Sequence, residues 1–174
     1  MNLDGGDHLL TFTSFPGGKI SDLPRDYSYI QSRNPDVVMI HLGTNDLADP
    51  SASPIALAQS LYDMARHLAQ IVGVREVLLM QCFFRTTSGR YSSPDPQYNS
   101  RVHQFNEALK ALAFAVPYSE RQIHYNFFRG MVKDWEQYIG DGCHFNQPGL
   151  AKYARVVRRV IIKSANRVRK LLTI

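Results

Sequence analysis

The strongest constraint on the fold lies in residues 37–42. Val37, Val38, Met39, Ile40, His41 and Leu42 form a near-continuous apolar run that ends at Gly43-Thr44-Asn45-Asp46. A strand with one face in water alternates polar and apolar residues. A β-branched run without that alternation belongs in a strand covered on both faces, as in a parallel sheet between helices. Pro35 and Asp36 punctuate its start.

The rest of the chain repeats this logic. Residues 54–72 carry Leu57, Leu61, Met64, Leu68 and Ile71 at helical spacing, and Gly73 supplies a C-terminal stop. Val77-Leu78-Leu79-Met80 reads as the next buried strand, and residues 85–96, rich in Ser, Thr, Gly and Pro, as a long surface loop. Helix resumes through Val102, Phe105, Leu109 and Leu112, and residues 123–127 form a further strand. A last helix starts near Gln147, with Asn146 as its N-cap, Pro148 in its first turn and an apolar stripe of Tyr153, Val156, Val157, Val160, Ile161, Val168 and Leu171. Residues 9–13 read as a short strand ended by Pro16-Gly17-Gly18. Strands alternating with helices predict a three-layer α/β/α fold with a mostly parallel sheet, right-handed crossovers, and ligands at the carboxyl ends of the strands.

The length of 174 residues suits a single domain spanning 1–174 with a sizeable core. A composition of 44% hydrophobic and 20% charged residues excludes disordered and fibrous classes. The N-terminus lacks a basic stretch followed by an apolar run, and no apolar run approaches the ~20 residues that span a bilayer. A soluble, intracellular and cytoplasmic protein is expected. Cys82 and Cys143 sit in unlike contexts, neither a disulfide framework nor a zinc pattern, and no metal or cofactor is expected. The net charge of +5 is concentrated at one end. No acidic residue follows Asp141, whereas Lys152, Arg155, Arg158, Arg159, Lys163, Arg167, Arg169 and Lys170 do. Such a segment is either a solvated helix face or a contact surface for nucleic acid or an anionic membrane.

Two short motifs stand at strand ends: Gly43-Thr44-Asn45-Asp46, and Asp141-Gly142-Cys143-His144 leading through Phe145-Asn146-Gln147-Pro148-Gly149 into the last helix. Their order and spacing, with the turn Phe15-Pro16-Gly17-Gly18-Lys19-Ile20-Ser21-Asp22-Leu23, resemble three blocks of the SGNH/GDSL-type hydrolases, a superfamily of esterases, lipases and carbohydrate deacetylases. The resemblance runs from about residue 9 to 165. It implies a flavodoxin-like hydrolase fold in which His144 is the general base, Asp141 accepts its Nδ1–H, and Gly18 (or Gly17) and Asn45 donate to the oxyanion. Acyl transfer needs those groups: a base to relay the nucleophile's proton, an acid to fix its tautomer, and donors for developing charge. Beside these roles stand blander ones. Asn45 can cap a turn, Asp46 can tie its loop, His41 reads as a packed core histidine, and Cys143 is a weak alternative nucleophile.

The pattern breaks at the family's first block, Gly-Asp-Ser at the end of strand one. No Gly-Asp-Ser occurs in the sequence, and Gly6-Asp7-His8 directly precedes the segment matched to strand two. The expectation is an N-terminally incomplete domain lacking strand one, with no nucleophile; Ser14 and Ser21 flank the glycine turn but match no nucleophile position. Strand one is interior in this family, so its loss predicts a new sheet edge. Two function classes follow. One is an ester hydrolase completed by a serine from elsewhere, with a somewhat similar glycine turn in esterase-like domains of LINE-type retrotransposon first open reading frames. The other is a non-catalytic module, similar to SGNH-like domains that lack the serine and bind RNA, with Lys152, Arg155, Arg158, Arg159 and Lys163 as phosphate contacts.

Overall fold

A computed structural model describes residues 11–87, 89, 90, 92, 95–128 and 135–172. Among the described residues, three parallel strands make the sheet: β1 (Val37–Ile40), β2 (Glu76–Met80) and β3 (Ile123–Asn126), in the spatial order β1-β2-β3. Val38 lies opposite Val77, and Val77 opposite Ile123, so the chemistry-bearing loops after β1 and β2 leave the sheet side by side. The α-helices that connect and cover the strands are α1 (Tyr27–Arg33), α2 (Pro54–His67), α3 (Tyr98–Phe114) and α4 (Gln147–Leu172).

Side chains of β2 alternate between two apolar layers, as the pleat requires. Val77 and Leu79 join Ile40, Leu61, Leu68, Val102, Phe105 and Leu109 in the larger cluster under α2 and α3. Met80 joins Phe128 and Val157 under α4, with Met39, Phe83 and Tyr153 packed against them. All of β2 is buried on both faces, which explains the unbroken apolar run from Val77 to Met80.

Local chemistry sets the helix ends. Pro54 opens α2 after Ser53, whose hydroxyl accepts from the Ala56 N–H. A π-helical turn (Leu68–Val72) carries α2 to Gly73, which ends it at φ +89°. At α4 the Asn146 side chain accepts from the Gly149 N–H at 2.9 Å, the N-cap expected from the sequence.

One expectation needs correcting. Residues 9 and 10 of the anticipated first strand lie outside the described residues, and residues 11–13 form no strand. A strand draws its order from a paired neighbour, and β1 has β2 as its one strand partner among the described residues. Phe12 and Phe15 are accordingly exposed. Residues 20–33 form a 3₁₀ helix (Ile20–Asp26) running into α1 and bury Ile20 and Leu23. No helix among the described residues is long and apolar enough to cross a membrane.

Candidate active site

Four segments converge where β1 and β2 end. The turn after β1 is held from several sides. The Leu47 N–H donates to the Gly43 carbonyl at 2.9 Å. The buried Arg101 guanidinium of α3 donates to the Leu47 carbonyl at 3.0 and 2.9 Å, while pairing with Asp95 at 2.6 Å. The Thr44 carbonyl receives both the Tyr98 hydroxyl and Arg85 Nη2, each at 3.3 Å. Gly43 adopts φ +116°, and a Cβ there would sit 2.9 Å from Cys82 Sγ, so strand and turn meet only with glycine in this place.

The same turn reaches the glycine-rich segment. Asn45 Nδ2 donates to the Gly18 carbonyl at 3.0 Å, and both carboxylate oxygens of Asp46 accept from the Ile20 N–H at 3.2 Å. The structure thus brings Gly18 and Asn45 together. The Gly18 N–H is engaged with the Phe15 carbonyl at 3.0 Å. An oxyanion held by these two residues has to draw that N–H out of its local turn.

On the loop before α4, Asp141 faces His144 with His144 Nδ1 2.9 Å from Asp141 Oδ2. Asp141 Oδ1 also accepts the backbone N–H groups of His144 at 2.8 Å and Cys143 at 3.1 Å. Those donors, the His144 backbone first and its imidazole next, hold the carboxyl down to about 2. A carboxylate at Nδ1 makes Nδ1 the protonated nitrogen and leaves Nε2 as the basic one. The histidine side chain is 67% exposed, open to a reactant.

Arg85 joins the two halves. Its guanidinium bonds the Thr44 carbonyl, stacks over the Tyr98 ring at 4.8 Å and hydrogen-bonds the Cys143 side chain. Its own backbone is pinned at both ends by the Asn99 amide, at 2.9 Å each. The loop after β2 also lies on the dyad loop, with the Thr86 N–H donating to the Gly142 carbonyl at 3.0 Å. Sequence reading passed over Arg85, because a lone arginine in a Ser/Thr/Gly-rich loop carries no motif. Its place directly after the buried strand was the available signal.

Other candidates fall into place. Burial raises the Cys143 thiol, which keeps it protonated and disfavours it as a nucleophile. Cys82 is pushed up to about 12 by burial; its Sγ donates to the Leu42 carbonyl at 3.1 Å. His41 packs among Phe83, Phe128 and Tyr153, its Nδ1 3.2 Å from the Tyr153 hydroxyl, and burial lowers it to about 4. It is a core histidine, as expected. Ser14 and Ser21 are both exposed, beside the glycine turn. Among the basic residues of α4, Arg155, Arg159 and Lys163 are exposed, whereas Lys152 bonds the Tyr138 hydroxyl at 2.6 Å. Arg167 is bound to Glu76.

Comparison with known proteins decides the family. The model of the GDSL-like lipase/acylhydrolase family matches residues 3–152. The chain belongs to that family. Solved structures agree on the three-layer α/β/α fold with its parallel sheet. A GDSL-like lipase from Bacteroides thetaiotaomicron VPI-5482 superposes with a TM-score of 0.67 at 20% identity, covering 86% of this chain and 73% of that one. A lipase/acylhydrolase from Enterococcus faecalis gives 0.65 at 20% identity, over 85% and 72% of the two chains. A carbohydrate esterase of family 3 from Talaromyces cellulolyticus gives 0.66 at 18% identity, over 84% and 68%. A comparison with proteins of curated function found no match. Within the GDSL-like family, the anticipated His144, Asp141, Asn45 and Gly18 all lie on loops at one end of the sheet.

Proposed function

We propose that residues 1–174 form one ester-hydrolase unit in which His144 is the general base, Asp141 its orienting acid, and Gly18 with Asn45 the oxyanion donors. The observation that carries this reading is the 2.9 Å contact between His144 Nδ1 and a carboxylate already held by two backbone N–H groups. In the proposed reaction His144 Nε2 takes a serine hydroxyl proton as the oxygen attacks the acyl carbon. Asp141 stabilises the imidazolium, and the oxyanion develops toward Asn45 and Gly18. His144 then returns the proton to the leaving alcohol. The substrate class is an acyl or O-acetyl ester. No side chain of this chain is assigned as the nucleophile, since the 174 residues contain no Gly-Asp-Ser. By this reading the chain alone is catalytically silent.

The test is hydrolysis of p-nitrophenyl acetate by this chain and by a form extended with a strand ending in Gly-Asp-Ser. The chain alone should stay at background and the extended form should turn over, with His144→Ala lowering its kcat by about 10³-fold or more. Turnover by the unextended chain would remove the silent-domain reading. An extended form indifferent to His144→Ala would remove the hydrolase reading.

One observation favours a second, binding role. Arg155, Arg159 and Lys163 are exposed four residues apart on α4, about 6 Å of helix rise per step, with no acidic residue on that helix. A single-stranded RNA laid along this stripe should bind with affinity that falls steeply with salt. Replacing all three by Gln should abolish it, and salt-independent binding would contradict it.

A further inference from the structure

We infer that Arg85 is a positioning residue, which locks the turn that carries Asn45 to the loop that carries His144. This rests on the hydrolase reading, in which oxyanion donor and base must face one acyl carbon. Misplacing such groups by about 1 Å can cost about 10²-fold in rate.

The guanidinium reaches the residue directly ahead of each group. On one side Arg85 Nη2 donates to the carbonyl of Thr44, which precedes Asn45. On the other it hydrogen-bonds the side chain of Cys143, which precedes His144. A hold on Thr44 is a hold on Asn45. The Thr44 carbonyl, the next amide nitrogen and the Asn45 Cα share one peptide plane, so the direction of that oxygen sets where the Asn45 side chain starts. The buried Tyr98 hydroxyl donates to the same oxygen at 3.3 Å, so the plane is fixed by two donors. Cys143 is held twice as well, through its side chain by Arg85 and through its N–H by Asp141 Oδ1 at 3.1 Å.

Arg85 can act in this way because it is itself fixed, and by α3. Asn99 accepts from its N–H and donates to its carbonyl, at 2.9 Å each. Tyr98 lays its ring against the guanidinium at 4.8 Å. Asn106 treats Cys82 as Asn99 treats Arg85, accepting from its N–H at 2.8 Å and donating to its carbonyl at 2.9 Å. The segment after β2 is thus clamped to one helix at two points before it meets the dyad loop. An arginine suits the place. Its planar fork serves two acceptors while one face lies on a ring, whereas a lysine offers a single point charge.

NMR of the ¹⁵N-labelled chain tests the link without any turnover. Cys143→Ala cuts the contact on the dyad side and changes no residue of the Asn45 turn. It should still move the Asn45 side-chain amide signals by more than a line width. In an Arg85→Ala background the same substitution should leave those signals in place, the non-additivity of a coupled pair. Should Arg85→Ala fail to fold, Arg85→Lys serves as the background, with the same silence expected. Asn45 signals that ignore Cys143→Ala in the native chain, or that move equally with and without the arginine, would overturn the inference. In the form extended with Gly-Asp-Ser, Arg85→Ala should lower kcat by about 10²-fold with KM nearly unchanged, and Arg85→Lys should not restore it. A loss confined to KM would contradict a positioning role. An extended form that is silent with its native arginine strikes the hydrolase reading and leaves the Asn45 response standing, so the two failures are read apart.

Discussion

Two carboxylate–histidine pairs occupy opposite ends of the sheet. Asp141 and His144, at the carboxyl ends of the strands, are hydrogen-bonded at 2.9 Å with the imidazole 67% exposed. Glu76 and His124, at the amino ends of β2 and β3, approach only to 3.8 Å with side chains 5% and 8% exposed. Around the buried pair the carboxylate is already satisfied: Ser164 donates to Oε2, and Arg167 to both oxygens, Nε reaching Oε1 at 2.7 Å. Burial and the Arg167 charge lower His124 to about 4, so it stays neutral. The contrast teaches that an acid beside a histidine serves as a base unit only where the carboxylate is committed to the ring and the ring is open to a reactant. Where a serine and an arginine take the carboxylate instead, the same residue types pin a helix to a sheet.

If that division is right, breaking the two pairs has unequal consequences. Glu76→Ala strands Ser164 and Arg167 beside the sheet and should cost about 3–5 kcal/mol in urea unfolding. Asp141→Ala, at the exposed end, should cost clearly less in the same measurement. Equal losses would erase the distinction.

Acid should separate the pairs in a fixed order. His41 and His124 are held near 4 in the fold, below the ordinary value of about 6.5. Unfolded chains therefore bind more protons in this window, and stability, intact above about pH 6.5, should fall by on the order of a few kcal/mol as pH drops through about 4. Asp141, held to about 2, keeps its contribution above its unfolded value of about 3.9 and loses it only as pH falls toward 2. Carbon-13 NMR of the Asp141 carboxyl alongside pH-dependent unfolding checks the sequence of events. A carboxyl titrating before the buried histidines would reverse it.

The smallest effect belongs to the cap that launches α4 from the dyad loop. Asn146→Ala removes the acceptor for the Gly149 N–H and should cost about 1 kcal/mol. A loss as large as that of Glu76→Ala would mean that the exposed end carries more of the fold than the comparison allows.

Much of this was legible in the sequence, and for physical reasons. Residues 37–42 and 77–80 declared themselves because a strand covered on both faces demands an unbroken apolar run, and Asn146 because a helix start needs an acceptor. Asp141 and His144 were legible as a pair through the resemblance of Asp-x-x-His to a family block, and three residues of loop let one side chain turn back on the other. Ser164 and Arg167 escaped because the helical pattern of α4 counts them as polar and solvated. Glu76, far away in sequence, is what makes their burial favourable. Arg85 and Tyr98 escaped likewise, since their shared acceptor is a backbone carbonyl that no motif encodes. The strand expected at residues 9–13 was misjudged over 11–13, because apolar alternation describes a face to be covered but not a neighbour to pair with.

The tautomer of His144 bears most directly on the account. Nitrogen-15 NMR of the imidazole near pH 8 should find Nδ1 protonated and Nε2 bare in the native chain, with Asp141→Ala shifting the ring toward the Nε2–H form. A native ring already carrying its proton on Nε2, or one indifferent to Asp141→Ala, would contradict the assignment of this pair as the base of an esterase.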